Sequence, residues 1–200
     1  MQVIVKSNVM NKLELYPKLV TGEIGGLMNV KEQKNKLIIE DIIILKQKVG
    51  GAHFRLDEDA LFEFLKTNKR RAHRFKGWWH SHANFEAFWS GVDDATFDMM
   101  AGMSKFALGV VTNKRKNQVW KIVSNDGTIE VPEVIIEKSS FFKKLLMWNK
   151  MKKEVQEKVS EDDITITEEG DVEVVEFDSK EFESEEEGED DWRNNVYETD

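Results

Sequence analysis

Residues 74–94 read RFKGWWHSHANFEAFWSGVDD, and this stretch decides how the rest of the chain is read. Its first nine residues, RFKGWWHSH, predict a strand running into a loop. His80 and His82 are two apart on it, so both imidazoles project from the same side. Eight residues beyond His82 stands Ser90, and three further on Asp93. At the start of a helix predicted over Ser90 to Met100, these two share a face. Two imidazoles and a carboxylate, with a fourth position left for water, match the donor set of a catalytic zinc site. The chain has no cysteine, which excludes disulfides, thiolate nucleophiles and every Cys-based zinc site, so a metal here must be held by His, Asp or Glu. Ser90 and Asp93 also fit a plainer description, a helix N-cap with an acid in the first turn, and the two roles are compatible. Chance would supply His-x-His with Ser and Asp at these spacings in roughly one chain of this composition in a thousand.

Outward from this stretch, strands and helices alternate. Residues 2–6 predict a short strand, and apolar residues from Asn8 to Leu19 recur at helical spacing until Pro17 interrupts them. TGEIGGLMNV (21–30) reads as a turn entering a strand, and the β-branched LIIEDIIIL (37–45) as a largely buried strand pairing with it antiparallel. From Asp57 to Ala72 acids open and bases close a helical pattern, complementing the helix dipole. Residues 105–113 and 117–124 predict two more strands joined by a basic turn. Such interleaving favours an α/β or α+β fold, a sheet covered by helices. A last helix, capped by Ser139 or Ser140, would carry Phe141, Leu145, Trp148, Met151 and Val155 on one stripe and lysines opposite.

Two hundred residues are one domain's worth, with room for a tail. No apolar run approaches a membrane span and the opening MQVIVKSNVM lacks the order of a secretory signal, so a soluble cytoplasmic protein is expected. The net charge of −9 is unevenly divided. Residues 161–200 hold 19 acidic and 2 basic side chains, while the preceding 160 hold 27 basic and 19 acidic. The basic residues of the body sit at helix ends (Lys69, Arg70, Arg71, Arg74) and on the last helix (Lys143, Lys144, Lys150, Lys152, Lys153). Solvated faces account for them, and neither a nucleic acid nor a membrane is expected as partner. In the tail, ITIT and VEVVEF around Glu169 and Gly170 predict a small hairpin, and EFESEEEGEDD (181–191) a disordered run. Phe177, Phe182, Trp192 and Tyr197 are spaced through the acids like anchors. A tail of this kind either only aids solubility or engages a basic surface, on a partner or on the lysine face of residues 143–158.

The pattern His80-Ser81-His82, seven residues, Ser90, two residues, Asp93 resembles that of the JAMM metalloproteases, also called the MPN-plus family. An upstream glutamate before a Gly-rich segment completes it, and here GEIGGL supplies Glu23. The resemblance covers roughly residues 2–135 and implies an α/β MPN-type mixed sheet covered by helices as a catalytic domain over 1–135. An additional amphipathic basic helix (136–160) and an acidic, mostly disordered tail (161–200) follow. It further implies that His80, His82 and Asp93 hold zinc, that Glu23 carries a proton between water and leaving amine, and that the Ser90 hydroxyl hydrogen-bonds the developing oxyanion. Asp94 is the rival ligand, and the spacing from Ser90 selects Asp93. Two departures are Ala83, where many members have proline, and the aromatic Phe88-Trp89 before Ser90.

The implied activity is a zinc-dependent isopeptidase or peptidase that cleaves after the carboxyl terminus of a ubiquitin-like or other small protein. A catalytically silent MPN scaffold and a small-molecule amidase using the same metal site are the alternatives. Little chain is left for an insertion around the core, so a minimal domain is expected. Of Trp78 and Trp79, alternation turns one to the core. His53 and His73 have no spaced partner. Gly22, Gly25 and Gly26 match no phosphate loop and are expected to mark a bulge or a close backbone approach beside the site.

Overall fold

The computed structural model describes residues 2–51, 53–124, 126–131, 133–137, 141–161, 163–166 and 172–175, with side chains omitted for 130, 141–145 and the last two segments. The elements run β1 (Gln2–Val5), α1 (Ser7–Leu15), β2 (Gly25–Gln33), β3 (Lys36–Ile43), β4 (Gln47–Gly50), β5 (His53–Leu56), α2 (Glu58–Thr67) and β6 (Gly77–Ser81). They continue with α3 (Gly91–Met103), β7 (Phe106–Thr112), β8 (Gln118–Ser124), β9 (Gly127–Glu130), β10 (Ile135–Ile136), α4 (Phe141–Lys158) and β11 (Val159–Glu161). A hairpin of β12 (Asp163–Ile166) and β13 (Val172–Val175) follows. Eight strands form one mixed sheet in the order β10-β1-β3-β2-β6-β7-β8-β9, and β11-β4-β5 form a second, small one. This is the mixed α/β architecture that the interleaving predicted.

The sheet is covered on both faces because its central strands are apolar on both. Along β7 every residue is buried: Phe106, Leu108 and Val110 join the larger core, while Ala107 meets Phe97 and Ala101 of α3 on the other face. The larger core takes Val9 and Leu13 from α1, Met151 and Val155 from α4, and Trp79, which stacks on Tyr16 at 5.6 Å. Gly109 of β7 lets α3 approach: a Cβ there would lie 2.3 Å from the Phe97 ring and 2.8 Å from the Trp89 ring.

The predicted pairing of 21–30 with 37–45 is the antiparallel β2–β3 pair, and 105–113 with 117–124 is β7–β8. The helix predicted over 57–72 is shorter. Asp57 caps α2 by accepting from the Ala60 N–H at 2.8 Å, but Asn68 ends it, its side chain and backbone N–H both donating to the Phe64 carbonyl. Strands β4, β5, β9, β10 and β11 are additions to the sequence reading. They are two to four residues long and find their partners only in the folded chain.

On α4 the predicted stripe is buried at Met151 and Val155 and half-buried at Trp148; Ser139, Ser140 and the side chains of 141–145 lie outside the described residues. The Tyr16 hydroxyl donates to Glu154 at 2.6 Å, tying α4 to the turn after α1. One compact unit spans Met1–Glu161 and a second begins at Asp162. In the second, β12 and β13 pair antiparallel as the hairpin expected of ITIT and VEVVEF. The acidic run 181–191 and the four tail aromatics lie outside the described residues. No helix among the described residues is long and apolar enough to cross a membrane.

Candidate metal centre

β6 lies in the middle of the large sheet, with Gly25 of β2 opposite His80 on one side and Val111 of β7 on the other. His80 and His82 turn toward the face that α3 covers, the face shared by Trp78. Their Nε2 atoms are 3.1 Å apart, and His80 Nε2 is 3.2 Å from Asp93 Oδ1. All three side chains are buried, and their donor atoms lie within 4.8 Å of one another. Ligands placed tetrahedrally at zinc distances of about 2.0–2.1 Å stand about 3.3 Å apart, so this donor set fits that ion.

Two of the three donors, His82 and Asp93, are aimed by specific neighbours. The His82 Nδ1 lies 3.0 Å from the Glu86 carbonyl oxygen, which can only accept, so Nδ1 donates to it and Nε2 is the ring atom turned to the cluster. Glu86 itself is held through its carboxylate by Arg115 at 3.0 Å and Asn117 at 3.1 Å. Ala83 turns the chain out of β6 with φ of 43°, which proline cannot adopt. Ser90 caps α3: its Oγ accepts from the Asp93 N–H at 3.2 Å and donates to Asp93 Oδ2 at 2.7 Å, and its N–H reaches the same oxygen at 2.7 Å. Asp93 thus spends Oδ2 on the cap and turns Oδ1 to the histidines, so cap and donor coexist. Asp94 is outside the cluster, and its Oδ1 meets Lys121 at 2.5 Å.

Glu23 is buried in the loop entering β2. Its N–H donates to the Gly50 carbonyl at 2.9 Å. Next to it the Ser81 N–H donates to Ile24 O at 2.8 Å and Ile24 N–H to Ser81 Oγ at 3.2 Å, which continues the β2–β6 register and sets Glu23 alongside His82. Burial, and then the charge of Asp93, push the Glu23 carboxyl up to about 7, where it can both take and return a proton near neutrality. Burial lowers His80 to about 4 against the attraction of Asp93, with the charges of His82 and Lys121 adding to the drop, so its ring is a neutral donor at pH 7.

Gly22, Gly25 and Gly26 are places of close approach, as expected. A Cβ would lie 2.0 Å from Gly50 O, 2.2 Å from the Phe54 ring and 2.0 Å from Ile43 O respectively. Two buried polar residues of the site escaped the sequence reading. Gln47 grips the Gly25 backbone from both sides, accepting from its N–H at 3.1 Å and donating to its carbonyl at 2.9 Å. Lys121 lies beneath Asp94; a charged residue at an inward-facing place of an apolar strand was its one visible signal. His73 lies in a 3-10 turn at Ala72–Arg74, just before β6, and is not one of the clustered donors.

Residues 18–125, which include every side chain of this cluster, match the family described as prokaryotic homologs of the JAB domain. Subunit 5 of the COP9 signalosome complex from Debaryomyces hansenii is 28% identical over 103 residues, 48% of this chain. The match spans 22% of that subunit's length. The solution structure of a protein from Desulfitobacterium hafniense shares the fold, with a TM-score of 0.51 at 15% identity, over 72% of this chain and 98% of that one.

Proposed function

The chain belongs to the family of prokaryotic JAB-domain homologs, and from that premise we propose that it is a zinc-dependent peptidase or isopeptidase. Its substrate would be the amide bond that follows the carboxyl terminus of a ubiquitin-like or related small protein. One observation carries the proposal: three buried donor atoms converge within 4.8 Å, with a buried carboxyl of raised pKa in the loop that enters the adjoining strand. His80, His82 and Asp93 would hold the ion through Nε2, Nε2 and Oδ1. A bound zinc supplies Lewis acidity toward a carbonyl oxygen and brings the pKa of water toward neutrality.

The chain's own groups handle the protons. Glu23 takes one at its carboxylate from the attacking water and returns it to the departing amine, a transfer suited to a carboxyl near 7. Ser90 Oγ donates to Asp93 Oδ2 in this structure; redirected toward the reacting carbonyl, the same proton would stabilise a developing oxyanion, an effect of about 3–4 kcal/mol where such donors have been removed from other enzymes. The complete set of Glu23, His80, His82, Ser90 and Asp93 argues against a silent scaffold.

The test is zinc content of the full-length chain by mass spectrometry, together with release of a fluorophore from the carboxyl terminus of a ubiquitin-like protein. Bound zinc with release supports the proposal. A chain that takes up no zinc is a scaffold, and zinc without release from the protein conjugate, but with turnover of small amides, assigns it as an amidase.

A further inference from the structure

Lys121 is a buried cation whose place in the fold links the two halves of the metal site. It stands on β8 opposite Gly109, and Gly109 stands opposite Trp78, so the three form one row across the sheet. The next row on the same face is Val119, Val111 and His80. Alternation turns Lys121 to the α3 face, where its side chain is 4% exposed. An ammonium taken out of water at this depth is costly unless it is compensated. Compensation comes from the start of α3 and the residue before its cap: Asp94 Oδ1 at 2.5 Å, the Trp89 ring at 4.2 Å and the Phe97 ring at 4.5 Å.

Those partners bracket the capping box. Trp89 immediately precedes Ser90, Asp94 immediately follows Asp93, and Phe97 is one turn further along. The histidines ride on the sheet and Asp93 rides on the helix, so their separation depends on how the first turn of α3 is set against the strands. Apolar packing of Phe97 and Ala101 holds the helix down but has no preferred direction. A charge-assisted hydrogen bond has one, and it is anchored in the sheet two strands from His80.

We propose that Lys121 is a positioning residue for the metal centre, fixing the first turn of α3 on β8 so that the Asp93 carboxylate meets the histidines. Its role rests on His80, His82 and Asp93 being metal ligands, as proposed above. The Asp94 carboxylate is 64% exposed, so freeing it leaves no buried charge behind. Lys121→Met, which keeps the unbranched stem, therefore removes the direction of the contact while retaining its packing.

The experiment measures zinc affinity by chelator competition, the visible spectrum of the cobalt-substituted site and the melting temperature of the metal-free chain, all on full-length protein. Lys121→Met is expected to lower zinc affinity about 10- to 100-fold, as loss of an outer contact does in other metal sites, and to shift the cobalt spectrum. Asp94→Ala should lower affinity in the same direction, and the double variant should fall no further than Lys121→Met alone. Unchanged affinity and spectrum in Lys121→Met overturns the proposal, as does a loss no larger than the drop in metal-free stability accounts for. Should Lys121→Met not fold, exposed Asp94 decides: wild-type affinity and spectrum in Asp94→Ala overturn the proposal. A wild-type chain that binds no zinc refutes the metal centre itself, a result distinct from all of these.

Discussion

Ser90 and Asp93 hold each other: the Ser90 hydroxyl donates to Asp93 Oδ2 at 2.7 Å while the Asp93 N–H donates back to Ser90 Oγ at 3.2 Å. One pair of side chains therefore starts α3 and orients the carboxylate that faces the histidines. Ser90→Ala should lose about 1 kcal/mol of metal-free stability as a lost N-cap. It should also lower turnover about 10²- to 10³-fold as a lost oxyanion donor. Urea denaturation and steady-state kinetics on the same variant separate the two, and a stability loss with full turnover would assign Ser90 to the cap alone.

Glu23→Gln should keep the fold and bound zinc but lower turnover at least about a hundredfold, because an amide can hydrogen-bond water without taking its proton. Zinc content and the rate of fluorophore release check this. Cleavage at the wild-type rate would remove Glu23 from the chemistry.

Among the acids at the start of α3, only Asp93 points to the histidines. His82→Ala or Asp93→Ala should strip zinc during dialysis, whereas Asp94→Ala, although of lower affinity, should retain it. Retention by Asp93→Ala with loss by Asp94→Ala would move the ligand register by one residue.

The raised Glu23 carboxyl has a signature in the metal-free chain. Its folded pKa of about 7 exceeds the unfolded value of 4.5, so the folded state binds more protons between them. Its contribution to stability is full below 4.5 and is lost as pH rises through 7. His80, lowered from 6.5 to about 4, acts oppositely: its contribution is present above 6.5 and lost as pH falls through 4. Glu23→Gln removes only the first effect. Its stability relative to wild type should therefore grow as pH rises from 4.5 to 7 in chelator-treated protein, and parallel denaturation curves across that range would sink the assignment.

The clustered residues were legible because each is tied to chain-local geometry. His80 and His82 share a side through strand alternation, and Ser90 and Asp93 meet through helical spacing, so a few dozen residues suffice to specify their relation. Glu23 was found through family resemblance; it stands 57 positions before His80, and the β2–β6 pairing that unites them is invisible in periodicity. β4 and β5 escaped for a related reason. QKVG and HFRL carry weak strand patterns, and it is the Gln47 grip on Gly25 and the pairing with β11 that give them a place.

The amino-acid sequence by itself determined the alternation of strands and helices and the donor types, which follow from short-range backbone periods, while the choice of Asp93 over Asp94 came from the spacing of the motif it resembles. Only the tertiary structure decided that the carboxyl of Glu23 is buried beside Asp93 and so titrates near 7, and that Lys121 is enclosed by Trp89, Phe97 and Asp94. Burial and charge proximity are properties of groups brought together from distant parts of the chain, and no local period encodes them.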